Sequence, residues 1–249
     1  AQGVLNLPVS TFAADTHHVY RYISEKALEE FIKSSNDENS LKRAICSELD
    51  VIEGIIEGGL TLWDGCKELL TFLLPQSCEI LKDKRVLELG CGCGLPGLLA
   101  LQSEARWVTF QDYNMEVLSC WTIPNVILNQ PNNRVSEIPV DFYCGDWEAL
   151  KLQWQSEAHE KYDVILSAET IYRQELYDKF IELLEFSLAP NGEVFLLSKS
   201  IYGSGGSLED FLDIIEKRNK FCTNVYQLNN KCILKFVVRM RWNTSTIFS

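Results

Sequence analysis

Residues 85–94 read Arg-Val-Leu-Glu-Leu-Gly-Cys-Gly-Cys-Gly, so a strand-forming run passes without a spacer into glycines at 90, 92 and 94. A residue without a Cβ can turn this sharply and lets a ligand approach the backbone. In an open α/β sheet such a turn marks the crevice at the carboxyl ends of the strands. From this turn onward the chain alternates between extended and helical signals. Strand Arg85–Leu89 leads to a helix over Pro96–Gln102. Strand Trp107–Asp112 leads to a helix that Asn114 should cap and that carries Val117, Leu118 and Trp121. Strands come next at Val140–Tyr143 and Tyr162–Ser167, then an amphipathic helix over Glu175–Leu188, closed by Pro190-Asn191-Gly192, and strand Glu193–Ser198. This alternation predicts a parallel sheet. Ser207 and Asp210 form a capping box for one more helix. Phe221–Leu228 and Lys231–Trp242 are then joined by Asn229-Asn230 with no helix between them, which predicts an antiparallel hairpin.

Upstream, the first fifteen residues are polar and aperiodic, and since they open inside no recognisable element a longer parent chain is expected. Ser24 can cap a helix striped by Ala27, Leu28, Phe31 and Ile32, and a polar breaker over Ser34–Ser40 precedes another short helical stretch. Residues 1–55 are therefore expected to be an N-terminal helical extension and residues 56–249 the main domain. A helical period in Cys66, Leu69, Leu70 and Leu73, entered through Glu57-Gly58-Gly59 and ended by Pro75, opens that domain. At 249 residues and 46% hydrophobic content the chain can bury a full core. It has no apolar run of about 18 residues and no basic-then-apolar start, so neither a membrane span nor secretion is expected. Nine scattered cysteines without C-x-x-C suggest reduced thiols and no metal site. A net charge of −12 disfavours a phosphate backbone as partner and suits a basic protein.

The glycines alone do not name a ligand. Gly92, Gly94 and Gly97 also satisfy G-x-G-x-x-G, the dinucleotide pattern, although Pro96 removes one N–H that a pyrophosphate would use. Glu88 is a carboxylate that could meet a cationic amino group. Asp112, at the end of the second strand, is placed to accept from a ribose diol, as an acid there does for either class of cofactor.

Seven blocks narrow the choice. Glu57-Gly-Gly-Leu-Thr-Leu-Trp-Asp64, Leu87-Glu-Leu-Gly-Cys-Gly-Cys-Gly94, Phe110-Gln-Asp-Tyr-Asn114, Ile123-Pro-Asn-Val126, Gly145-Asp-Trp147, Ser167-Ala-Glu-Thr-Ile-Tyr172 and Ser198-Lys-Ser-Ile-Tyr-Gly203 stand in this order. Together they resemble the eukaryotic protein-histidine methyltransferases. The resemblance implies a Rossmann-like, seven-stranded class I methyltransferase sheet, parallel with a C-terminal antiparallel hairpin, plus N-terminal helices. It implies S-adenosylmethionine as cofactor and, as acceptor, a histidine of a basic large-subunit ribosomal protein. It further implies a monomer working in cytoplasm and nucleus, with no direct nucleic-acid recognition and no membrane. The wider clan includes lysine methyltransferases of chaperones and translation factors. After the fifth strand this chain has Gly203, Gly205 and Gly206 where the histidine-specific pattern has a longer glycine cluster, so histidine and lysine both stay open as acceptors.

Residue by residue, the resemblance puts Glu88, Gly90 and Gly92 around the methionine end, Asp112 on the ribose, and Asp146 with Trp147 by the adenine. Trp63 packs over the site, and Tyr113 and Ser167 lie beside the cofactor. Each has a plainer alternative: Trp63 and Trp147 as core, Asp146 as a turn residue, Asp112 as a helix cap. Glu169 and Tyr172, after the fourth strand, match the clan's acid-x-x-Tyr motif. Methyl transfer to nitrogen needs alignment and an unprotonated acceptor. Imidazole, with a pKa of about 6.5, is already mostly neutral at pH 7, whereas lysine at about 10.4 is not. Glu169 is assigned to bond one ring N–H and so fix the tautomer, and Tyr172 to wall the acceptor pocket. His17, His18 and His159 lie outside the blocks and read as structural or surface residues. Cys91 and Cys93 read as small residues in a crowded turn.

Two rival classes remain, a cofactor-binding scaffold without turnover and a nicotinamide oxidoreductase. S-Adenosylhomocysteine at a hundredfold excess over its Kd should stabilise the fold by about 2.7 kcal/mol, and NAD should not. A melting temperature raised by NAD alone would reverse the cofactor assignment.

Overall fold

The computed structural model describes residues 3–34, 42, 45, 51–52, 56–130, 138–228 and 233–244. Its N-terminal part corrects the expectation of aperiodic chain followed only by helices: β1 (Val9–Ala13) and β2 (Val19–Ile23) form an antiparallel hairpin ahead of α1 (Glu25–Ser34). The hairpin escaped the sequence because its first strand buries none of its residues fully and puts Val9 on the exposed side and Ser10 on the half-buried one, so no apolar–polar alternation marks it. The Ser34–Ser40 breaker and most of the helical stretch after it lie outside the described residues. A short pair, β3 (Val51–Ile52) and β4 (Ile56–Glu57), leads to α2 (Asp64–Leu73), followed by α3 (Ser77–Leu81).

The main sheet has seven strands. β5 (Arg85–Leu89), β6 (Trp107–Asp112), β7 (Val140–Cys144), β8 (Tyr162–Ala168) and β9 (Leu188–Lys199) pair in parallel. β10 (Phe221–Leu228) and β11 (Lys235–Trp242) form the antiparallel hairpin, and β11 also pairs antiparallel with β9. The order is β10-β11-β9-β8-β5-β6-β7. The chain runs outward from β5 to β7 and restarts at β8 on the other side of β5. That break is the switch point at which open α/β sheets bind ligands.

Helices cover both faces. α4 (Leu95–Gln102) and α5 (Ile123–Asn129) pack on one, while α6 (Trp147–Ser156), α7 (Tyr177–Ser187) and α8 (Leu208–Arg218) cover the other. Strand side chains alternate. Val86, Val108 and Phe110 therefore join one core with Leu98, Leu99 and Trp121, and Leu87, Leu89 and Ile165 join another with Phe180, Leu184 and Phe211. α4 is buried along nearly its whole length and packs so closely on β6 that a Cβ on Gly97 would lie 2.2 Å from the Phe110 ring. Replacing a buried leucine here by alanine typically costs about 2–5 kcal/mol. Ser207 caps α8 as expected, its Oγ accepting from the Asp210 N–H at 3.1 Å. Asn114 makes no side-chain cap, which corrects that expectation; its backbone N–H donates to Asp112 Oδ1 at 3.2 Å.

The N-terminal elements share the first core, through Val4, Tyr20, Ile23, Leu28 and Ile32. Ahead of α5 the helix widens into a π segment over Leu118–Thr122, because Pro124 has no N–H to give back to the preceding turn. From this rod, Trp121 Nε1 donates to the Ile23 carbonyl at 2.9 Å, and Asn129 pairs with both backbone groups of Arg21, so side chains complete the outer edge of β2. Asn125, fully buried, accepts from the Ile23 N–H at 2.8 Å and donates to the Cys93 carbonyl at 2.9 Å. It thus clamps the hairpin to the glycine turn. Asn125→Ala leaves two buried backbone groups unpaired and should cost about 1–3 kcal/mol for each that stays dry. Chemical denaturation checks this, and a loss below about 0.5 kcal/mol, the ordinary surface range, would show that the clamp contributes nothing.

Candidate functional site

The turn after β5 is left-handed at Gly90, Gly92 and Gly94, with φ of 62°, 49° and 79°. This coil aims backbone N–H groups at the neighbouring strand ends. Gly92 N–H donates to Asp112 Oδ2 at 2.9 Å, and Gly90 N–H donates to Gln111 Oε1 at 3.2 Å. Asp112 is buried, and burial lifts its carboxyl to about 6, against the lowering pull of N–H groups from Gly92, Asn114 and Tyr113. A carboxylate has about four lone-pair sites, so these three N–H groups leave room for a further donor. Gly59 lies directly over this carboxylate, since a Cβ there would sit 3.0 Å from Oδ1.

Around the turn opens a cleft of about 520 Å3, within the usual range for small-molecule sites. On the β6–β7 side, Gln111 joins three segments: beyond its bond to Gly90, its Nε2 donates to the Gly145 carbonyl at 2.9 Å and its Oε1 accepts from Trp147 Nε1 at 3.0 Å. Trp147 thereby presents a fixed, half-buried indole to the cleft, backed by Phe180 at 4.9 Å between ring centroids. Asp146 caps α6, accepting from the Glu148 N–H at 2.9 Å, and its other oxygen meets Lys179 at 3.1 Å.

The opposite side, at the ends of β8 and β9, is built from ion pairs. Glu169, left-handed at φ 58°, accepts from the Gly65 N–H at 3.1 Å and meets Lys199 Nζ at 2.6 Å. That N–H belongs to the first turn of α2, where backbone N–H groups lack helical partners. A Cβ on Gly65 would lie 2.6 Å from the Glu169 side chain, so only glycine fits. Buried Lys235 pairs with Glu68 at 2.8 Å and stands 3.8 Å from Glu169. Glu57 takes the Arg173 guanidinium at 2.9 and 3.1 Å and the Tyr172 hydroxyl. Burial first, and then the Glu57 carboxylate, push the Tyr172 phenol above its ordinary range. Trp63 Nε1 donates to the Gly58 carbonyl at 3.1 Å, and Lys199 Nζ lies 5.1 Å from the Trp63 ring centroid.

The cleft therefore gathers Trp63, Gly90, Gly92, Asp112, Tyr113, Asp146, Trp147, Glu169 and Tyr172. Two expected residues stand outside its lining. Glu88, assigned to the methionine end, turns away and accepts from the Gly97 N–H at 2.8 Å under α4. Strand alternation is the reason: Glu88 shares a face with Val86, and that face is covered. Burial raises its pKa well above the usual carboxylate range. Ser167, likewise buried, bonds the Leu89 carbonyl at 2.9 Å and Thr170 at 2.8 Å, and so ties β8 to β5. Asp146 reaches the cleft with both oxygens engaged, as a helix cap would be. Glu57, Gln111, Arg173, Lys179 and Lys199 were not singled out from sequence. Glu57, Gln111 and Lys199 lie inside the quoted blocks, where only their chemistry could have flagged them. A ribose-bearing cofactor such as S-adenosylmethionine fits what is present: Asp112 for the diol, the Cβ-free turn for close backbone approach, and Trp147 with Gln111 for a base. Burial pushes the Cys91 thiol up, and the Cys66 thiol rises through its hydrogen bond with Cys93 and burial, so neither is set up as a nucleophile.

Comparison with known proteins agrees with the fold. Among solved structures, the fold matches a methyltransferase crystallised with S-adenosylhomocysteine at a TM-score of 0.59 and 13% identity, over 93% of this chain and 56% of that one. It also matches an S-adenosylmethionine-dependent methyltransferase from Agrobacterium tumefaciens at 0.55 and 15%, over 74% and 63%. In sequence, the chain is 35% identical over 231 residues to the histidine protein methyltransferase 1 homologue of Bos taurus, covering 84% of this chain and 62% of the relative. It is 36% identical over 178 residues to the Dictyostelium discoideum homologue, covering 71% and 54%. The chain thus spans about three fifths or less of these relatives' length. It is also 28% identical over 130 residues to a protein N-terminal and lysine N-methyltransferase of Cryptococcus neoformans, covering 52% and 43%. The profile described as lysine methyltransferase matches residues 46–218, more than half of the chain, and on that ground the chain belongs to this methyltransferase family.

Proposed function

We propose that this chain is an S-adenosylmethionine-dependent protein methyltransferase that methylates a histidine side chain. The observation that carries the reading is the division of one cleft into two ends. Asp112, the glycine turn and Trp147 lie toward β6 and β7, while Glu169, Tyr172 and Lys199 lie toward β8 and β9. Asp112 would hold the cofactor's ribose and Trp147 its base, which would leave the ion-paired side, across β5, to the acceptor. The cofactor supplies a methyl group on a sulfonium, so that as the acceptor's lone pair forms the N–C bond the S–C bond breaks, leaving S-adenosylhomocysteine and one proton to lose. The chain's part is alignment, exclusion of water and a place for that proton. Glu169, rigid between Gly65 and Lys199, keeps lone pairs that can accept one imidazole N–H and so aim the other ring nitrogen. Tyr172, held by Glu57, walls the approach.

The curated relatives named for histidine methylation favour the imidazole acceptor. The charge of −12 suits a basic partner such as a ribosomal protein, reached in the cytoplasm or nucleus, with association weakened by salt over a screening length of about 8 Å. A lysine or N-terminal amine acceptor is the second reading, favoured by the family's description and by relatives at 25–28% identity.

Asp112 makes cofactor affinity depend on pH. Below about 6 the free protein holds this carboxyl protonated, and a neutral acid accepts from the hydroxyls of a diol more weakly than the carboxylate does. Affinity for S-adenosylhomocysteine should fall through that value, approaching tenfold per pH unit, and be flat above pH 7. The free fold behaves oppositely. A raised folded pKa favours folding below the unfolded value, and that contribution is lost as pH rises from about 4 to about 6. Asp112→Asn should weaken binding by about 1.5–3 kcal/mol and abolish the pH dependence, both read by calorimetry. Unchanged affinity would reduce Asp112 to a turn residue.

For turnover, Glu169→Gln should leave cofactor binding nearly intact and lower kcat by about tenfold or more. A rate within about twofold of the parent, too small for any acid–base or orienting role, would remove that role. With an imidazole acceptor the rate rises through a pKa of about 6.5 and levels by about pH 8, whereas lysine would keep it climbing toward pH 9. Mass spectrometry of protein labelled in a lysate decides the acceptor, and a methylated lysine would replace the histidine reading by the second one.

A further inference from the structure

We propose that Lys199 sets the acceptor specificity of the cleft by filling, as an internal ammonium, the place that a substrate lysine would need. The inference rests on the reading that the β8–β9 end receives the acceptor. Lys199 closes β9, and its side chain folds into the cleft with only 19% exposure. Its Nζ lies 2.6 Å from Glu169 Oε2, 5.1 Å from the Trp63 ring centroid and 5.5 Å from that of Tyr202. A carboxylate with two aromatic faces is the arrangement by which proteins recognise alkylammonium groups. Here the protein's own chain occupies it. The Tyr202 hydroxyl accepts from the backbone N–H of Lys199 at 3.1 Å, so one of the two aromatic walls is anchored to the residue that it encloses.

The neighbouring charges reinforce the exclusion. Glu57 is engaged by Arg173 and Tyr172, Glu68 by Lys235, and Glu169 by Lys199 with Lys235 at 3.8 Å. Among the described residues at this end, each of these carboxylates already has a cation. A second ammonium would meet two lysines and an arginine and gain no unpaired negative partner. A lysine acceptor would have to enter as the neutral amine, which at a pKa of about 10.4 is only about one molecule in 10³ at pH 7. Imidazole, near 6.5, enters neutral without that penalty and finds in Glu169 an acceptor for its N–H. Lys199 therefore discriminates by prior occupancy and like charge rather than by shape.

The test uses n-butylammonium as a mimic of the lysine side chain, titrated at constant ionic strength into the protein saturated with S-adenosylhomocysteine and followed by NMR. The parent should show no saturable binding. Lys199→Met, which frees the carboxylate and both rings, should bind the probe at least tenfold more tightly, and the double variant Lys199→Met, Glu169→Gln should lose that gain. S-Adenosylhomocysteine affinity reports that each variant is folded, and Lys199→Leu, which likewise frees Glu169, serves if the methionine variant is not. Saturable binding to the parent, or no gain in either folded variant, overturns the proposal. Two basic peptides differing only in a central His or Lys give the second arm, as binding to the same complexes. The parent should favour the His peptide, and Lys199→Met should shrink the preference at least tenfold; an unchanged preference also overturns it. Failure of the histidine reading looks different: the parent would then methylate lysine in a lysate, while the butylammonium comparison still shows whether Lys199 holds the site.

Discussion

The Gly92 N–H caught by the Asp112 carboxylate at 2.9 Å is the contact from which the cleft is organised. Three alternating left-handed glycines can coil so tightly only if their N–H groups find acceptors, because a buried amide without a partner costs about 1–3 kcal/mol. The neighbouring strand supplies two acceptors in succession, Gln111 on one face and Asp112 on the other. Gln111 passes the constraint on to Gly145 and Trp147, and Asp112 passes it to Asn114 and to the loop carrying Gly59. β5, β6 and β7 are thereby held in one register at the mouth of the cleft. Asp112 sits in surroundings that oppose its ionisation, which is strain that an incoming diol would relieve.

The two ends of the cleft handle charge differently. Toward β6 and β7, Asp112 is held by backbone N–H groups, which stabilise its charge without cancelling it. Toward β8 and β9, carboxylates are cancelled one by one by Arg173, Lys199 and Lys235. Breaking one partner of a buried pair strands the other charge, so these residues stand as units rather than as separate contacts. Such an end holds its shape firmly and offers little attraction to a cation, which suits an acceptor that arrives uncharged.

Much of this was legible in the amino-acid order, and the failures have specific causes. The parallel sheet, the terminal hairpin and the glycine turn follow from local periodicity and from the conformational freedom of glycine, and the structure has them. Glu88 was misplaced because chemistry was considered without alternation: two residues beyond Val86, it had to face α4. Asn114 was expected to cap a helix, but its side chain makes no cap bond to the helix N–H groups, and its own backbone N–H goes to Asp112, two residues earlier. The helix Trp147–Ser156 went unread although Asp146 stands at its N-cap, because that residue was weighed as a ligand or a turn residue and not as a cap.

By itself the sequence determined the order of elements, the site of the turn and the presence of the acids Asp112, Asp146 and Glu169 at the ends of β6, β7 and β8, since all of these depend on neighbours within a few residues. Tertiary structure decided which acids are spent. Lys199 lies 30 residues from Glu169, Arg173 lies 116 from Glu57, and Lys235 lies 167 from Glu68, and no local pattern encodes those pairings. The N-terminal hairpin belongs with them, because Asn125 and Asn129, more than 100 residues away, complete its edge. An ion pair or an edge hydrogen bond depends on distance in space, which the folded sheet sets by bringing the ends of β8 and β9 beside α2.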